Sequence, residues 1–90
     1  MKYRRKPTGD PTRPLHVDAV RFHATAAGHQ EACRFVGMVM PFSDRAGTLT
    51  LKCFEKETTV RDGDWIVRGQ FGAIYVETPD VFERDYQTEG

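Results

Sequence analysis

Residues 58–86 read TTVRDGDWIVRGQFGAIYVETPDVFERDY, and this stretch decides the fold. Asp62-Gly63-Asp64 is a tight-turn tripeptide, because Asp hydrogen-bonds nearby backbone N–H groups and Gly supplies backbone freedom. It delivers the chain into Trp65, Ile66 and Val67, a short apolar strand that ends at Gly69. A second strand over Phe71 to Thr78 places Ile74 and Val76 on one face and Phe71, Ala73 and Tyr75 on the other. The β-branched pair suits a core face, which leaves Phe71 and Tyr75 looking outward or into an interface. Thr78-Pro79-Asp80 then opens a short terminal helix, with Thr78 as cap, Pro79 at the first position and Asp80 near the positive end of the dipole.

Working outward, Thr48 to Glu55 alternates cleanly, with Leu49, Leu51 and Cys53 facing in and Thr48, Thr50 and Lys52 facing out. Glu57 to Val60 leads from it to the Asp62-Gly63-Asp64 turn. Before it, Asp44 to Gly47 makes a turn, and Met38 to Phe42 is a short edge strand stopped by Pro41. A helix is expected within residues 24–37. Thr25 or Gly28 begins it, Ala32, Cys33 and Val36 share a face, and Gly37 suits its left-handed end. Leu15 to His23 is the first strand, with Val20 and Phe22 on one side and Arg21 and His23 on the other.

Residues 1–14 are basic and carry Pro7, Pro11 and Pro14, which block helix and central-strand pairing alike. They are expected to form a partly ordered arm, followed by one domain over residues 15–87 and a tail over residues 88–90. Strands grouped around a helix define an α+β domain. The expected architecture is a small curled, largely antiparallel β-sheet packed by one central α-helix, with a short C-terminal helix.

Composition bounds the function. Thirteen basic and thirteen acidic side chains cancel, which argues against a general nucleic-acid binder or a membrane-surface protein. Nucleic acid is an expected partner only through the basic arm. No apolar run approaches a membrane span. Of 90 residues 39% are hydrophobic, so the core is small and a homo-oligomer would help cover apolar positions. The charge is uneven: residues 1–21 hold six basic side chains against two acidic, and residues 71–90 hold five acidic against one basic. The two ends attract each other across the fold or between subunits, or else the basic arm grips a phosphate or an acidic partner. Cys33 and Cys53 form no CxxC pair and the N-terminus does not resemble a signal peptide, so reduced thiols in a cytosol are expected.

No motif carries catalysis. Asp62 and Asp64 lack the further oxygen ligands of a calcium loop. His16, His23 and His29 share no metal-ligand spacing with each other or with the cysteines. Ser43 has no elbow glycines, Cys33 lies on the apolar helix face, and Gly63, Gly69 and Gly72 lack phosphate-loop order. A non-enzymatic protein with no metal and no cofactor is expected.

Five segments, in order, carry a resemblance: Tyr3-Arg4-Arg5-Lys6-Pro7, Val17-Asp18-Ala19-Val20-Arg21-Phe22, Phe35-Val36-Gly37, Gly63-Asp64-Trp65-Ile66-Val67 and Pro79-Asp80-Val81-Phe82-Glu83. The chain resembles a family of short bacteriophage accessory proteins with a Tyr-Arg-Lys-Lys-Pro opening, a Gly-Asp-Trp-Ile strand and a Pro-Asp-Ile-Phe-Glu ending. Residues 8–14 look like an insertion relative to that family. Asp62 stands where Pro is common, and Phe71 and Glu77 stand where Lys and Cys are expected. The resemblance implies a phage or prophage gene acting in the host cytoplasm, and such genes often serve to disarm host defences.

The surface expected to bind a ligand combines Arg21 and His23 with Phe71 and Tyr75, completed by Trp65 and Arg68. Rings stack on a base and guanidinium groups pair with phosphate, so this set suits a nucleotide. The expected partner is a host immune nucleotide or a host defence protein. The same residues equally suit a second apolar layer covered by another subunit. Alternatives are an anti-CRISPR-like inhibitor of a host nuclease or effector, using the acidic C-terminal segment, and a structural or assembly protein of the phage particle.

Overall fold

The Asp62-Gly63-Asp64 turn forms as expected and leads the chain from one sheet into another. Gly63 takes φ 91°, Asp64 Oδ2 accepts from the Arg61 N–H at 3.0 Å, and Asp62 Oδ1 accepts from the Ala24 N–H at 2.9 Å. The computed structural model describes residues 2–53, 56–69 and 72–88. Its elements are Lys2–Arg5 (β1), His16–Arg21 (β2), Ala26–Val36 (α1), Phe42–Ser43 (β3), Thr48–Cys53 (β4), Lys56–Arg61 (β5), Trp65–Arg68 (β6), Ile74–Glu77 (β7), Pro79–Asp85 (α2) and Tyr86–Thr88 (β8). The class is α+β. Instead of one curled sheet there are two antiparallel ones, a five-stranded sheet in the order β7-β6-β2-β1-β8 and a three-stranded sheet in the order β3-β4-β5.

The five-stranded sheet is covered on both faces, which explains why β2 and β6 do not alternate apolar with polar. On one face Phe22 and Ile66 pack with Ala32 and Cys33 of α1, Met40, and Leu49, Leu51 and Val60 of the smaller sheet. On the other face Tyr3, Val17, Ala19 and Val67 pack under Phe82 and Tyr86, with Trp65 and Tyr75 at the margin. Ile66 and Val67 are adjacent and both fully buried, one in each layer. Burying each such side chain contributes about 1.5–3 kcal/mol.

The helix α1 starts and stops where its caps dictate. Thr25 is extended and its Oγ1 accepts from the Gly28 N–H at 3.0 Å, while Gly37 at φ 85° donates to the Cys33 carbonyl at 2.8 Å. A Cβ on Gly28 would sit 1.9 Å from the His23 carbonyl oxygen, so only glycine lets this helix start against the end of β2. At the other cap, Thr78 precedes Pro79 as expected but makes no side-chain cap bond.

Two expectations give way. Lys2–Arg5 is not an arm but an inner strand, paired with β2 on one side and β8 on the other, with Tyr3 buried at 8% exposure. Its three charged residues project around a single aromatic anchor, so no hydrophobic period marks it. Residues 56–61 form a full strand where a connector was expected, because β4 supplies all its pairing and only Val60 is buried. The inward face expected of the Cys53 side chain lies outside the described residues. No described helix is long and apolar enough to cross a membrane.

Candidate functional site

Of the residues expected to share one surface, Arg21, Trp65 and Tyr75 lie on one side of the five-stranded sheet and Arg68 on the other. Arg21 and Trp65 are cross-strand partners on the α2 side of the sheet, with the guanidinium carbon 5.9 Å from the indole centroid. One face of that indole is stacked on Phe82 at 4.3 Å and 17°, and Tyr3 meets it edge-on at 5.3 Å. Trp65 is therefore packing more than platform. Arg21 Nε donates to the Gly63 carbonyl at 3.2 Å, and His23 is exposed beyond the end of β2.

Arg68 lies on the opposite face, three residues from Trp65 along a period of two. Its NH1 donates to the Phe35 carbonyl at 2.8 Å, its guanidinium carbon sits 4.5 Å from the Phe35 ring centroid, and NH2 lies 3.9 Å from Asp18. It latches the end of α1 to β6. Tyr75 is half-buried in the α2-side layer, not exposed, and burial pushes its hydroxyl pKa up. Phe71 lies outside the described residues.

The basic and acidic ends meet within the fold. Arg13 pairs with Glu77 and, through Nε, with Asp85 at 3.1 Å. Asp85 is 2% exposed, and it also takes Arg84 at 3.2 Å and the Asp10 N–H at 3.3 Å. The Arg84 bond, then the Asp10 N–H and the Arg84 and Arg13 charges, hold the Asp85 carboxyl below its usual pKa against the opposing effect of burial. The Lys6 N–H donates to the Asp85 carbonyl at 2.7 Å, and a Cβ on Gly9 would come 2.8 Å from that same oxygen. Tyr86 closes the segment by donating its hydroxyl to the Pro14 carbonyl at 2.8 Å, and burial pushes its pKa up. Residues 6–14 are thus strapped to α2 and β7.

That strap and the end of β1 enclose an open cleft of about 300 Å³, lined by Arg4, Arg5 and Lys6 with Pro7, Pro11 and Leu15 among its walls. Its volume is at the small end for ligand sites. The fate of the three cations is what distinguishes it. Arg5 NH1 donates to the carbonyls of Pro11 and Arg13, and Lys6 Nζ donates to the Glu83 carbonyl. These acceptors are neutral, so they fix the side chains without cancelling their charge. Arg4 is exposed and its side chain makes no hydrogen bond or ion pair among the described residues. Among the described residues no carboxylate lines the cleft. Elsewhere Arg13, Arg84 and Arg68 each face one.

Pre-oriented cations beside prolines and a half-exposed Leu15 suit an anion with an apolar or planar body. Among the described residues no three His, Cys, Asp or Glu side chains gather as a metal would need. Reading residues 1–14 as a basic arm that grips a phosphate or an acidic partner found the charge but not the cleft. Its sequence signal is the Arg4-Arg5-Lys6 run itself, which the pairing-blocking Pro7, Pro11 and Pro14 put into a partly ordered arm. Compared with protein-family models, curated proteins and solved structures, the chain matches none of them.

Proposed function

We propose that this chain is a non-enzymatic phage counter-defence protein that acts by occupancy, sequestering a phosphate-bearing nucleotide messenger of host immunity in the Arg4-Arg5-Lys6 cleft. One observation carries the reading: three cations line the cleft, two held by neutral carbonyls and one whose side chain has no partner among the described residues, and no carboxylate is among the described lining residues. A charge left uncompensated is the electrostatic preparation for an anion. The host-defence part rests on the resemblance to phage accessory proteins. Inhibition by mimicry of nucleic-acid charge is less favoured, because Glu77 and Asp85 of the acidic segment are already paired with arginines.

Isothermal titration calorimetry with a mononucleotide and a cyclic dinucleotide tests the reading at two salt concentrations. Binding is expected, weaker at the higher salt, and weakened at least about tenfold by Arg4→Glu, since a hydrogen bond to a charged group is worth about 1.5–3 kcal/mol. Absence of binding, or equal binding by the variant, overturns it.

A further inference from the structure

The strand β5 pairs with β4 and, among the described residues, has no strand on its other side. It has six residues, against four, three and two for the other edge strands β7, β8 and β3. The direction of its free main-chain groups follows from one bond. The Thr50 N–H donates to the Pro41 carbonyl at 2.9 Å, on the β3 side. In β4 the groups of residues 48, 50 and 52 therefore point toward β3, and those of residues 49, 51 and 53 point toward β5. Their partners there are Val60, Thr58 and Lys56. The main-chain groups of Glu57, Thr59 and Arg61 must then point away from the sheet.

Arg61 is already satisfied on that side. Its N–H donates to Asp64 Oδ2 and its carbonyl accepts from the Asp64 N–H, each at 3.0 Å. Glu57 and Thr59 have no such cap among the described residues, and both are exposed. Each offers one donor and one acceptor, a pattern complementary to itself under a twofold rotation.

We propose that this edge pairs antiparallel with the same edge of a second copy of the chain, about a twofold axis at Thr58. Glu57 then exchanges both its main-chain groups with the partner's Thr59, and Thr59 does the same with the partner's Glu57. Thr58 faces the partner's Thr58, a favourable cross-strand pair, and Glu57 lies diagonal to the partner's Arg61 on one side and to the partner's Glu57 on the other, directly opposite neither. Neighbouring registers are worse. A slip of one residue sets outward groups against inward ones. An axis at Thr59 sets Glu57 against the capped Arg61, and an axis at Glu57 sets like charges face to face.

Sedimentation velocity on the full chain tests this with three variants. Thr59→Pro removes an N–H that only the second copy uses, so it should abolish the dimer while the circular dichroism stays that of wild type. Thr58→Pro removes an N–H that β4 needs and should destabilise the fold itself. Glu57→Lys leaves the backbone intact and should weaken dimerisation about tenfold, through two reversed diagonal pairs; it decides the matter if Thr59→Pro does not fold. Wild type that stays monomeric at its highest soluble concentration overturns the proposal, as does dimerisation unchanged by Glu57→Lys.

Discussion

Asp85 joins two parts of the chain through one carboxylate: the strap, at the Asp10 N–H and the Arg13 guanidinium, and its own helix at Arg84. Replacing it with Asn leaves Arg13 facing only Glu77. Asp85→Asn should lower stability at neutral pH by about 2 kcal/mol in denaturant unfolding, toward the low end for a broken ion pair because Arg84 is largely exposed. The pH dependence has a definite sign. The Asp85 carboxyl is held below its usual range, so its contribution is complete above about pH 4 and is lost as the pH falls through its folded value. Thermal melts of wild type should therefore fall more steeply below about pH 4 than those of Asp85→Asn. Tyr75 behaves oppositely. Its hydroxyl interacts with that of Tyr86 without a hydrogen bond of ordinary geometry, so Tyr75→Phe should change the neutral-pH melting temperature little. Burial raises the pKa of Tyr75, so its contribution is lost above about pH 10, and the variant should resist alkaline unfolding better.

Phe82 shows how much a short helix depends on what it covers. It stacks on Trp65 and Tyr86 and meets Tyr3 edge-on, and Phe82→Ala should cost about 3–5 kcal/mol by urea titration. That helix was legible because Thr78, Pro79 and Asp80 announce its start through backbone chemistry alone. The helix α1 was legible for the same reason, through Thr25 and Gly37. By contrast β1 and β5 take their conformation from neighbours. Tyr3 is the one buried residue of β1 and Val60 that of β5, and a single apolar residue has no period. Deleting residues 2–5 discriminates between an arm and a strand. Removal of an arm would leave the melt unchanged, whereas removal of this inner strand should abolish the cooperative unfolding transition.

Across the whole molecule, the division of charge between the two ends resolves into two uses. Arg13 from the basic end and Glu77 and Asp85 from the acidic end hold the strap down, and Arg4, Arg5 and Lys6 remain around the cleft it encloses. The first use was legible as mutual attraction of the ends. The second was legible only as a basic arm that grips a phosphate or an acidic partner; the cleft was not, since it depends on which acceptors the cations meet, and backbone carbonyls brought from other parts of the chain leave no mark in the order of residues. Arg68 is separated from the rest of the expected aromatic and arginine surface for a reason the sequence did contain: Trp65 and Arg68 are an odd number of residues apart in one strand and must face opposite ways. The most direct test of a sequestering cleft is native mass spectrometry of wild type and Arg4→Glu recovered from cells with an active nucleotide-signalling defence. The expected result is a nucleotide released on denaturation from wild type and absent from the variant. Wild type free of any nucleotide, or a variant carrying as much as wild type, would contradict it.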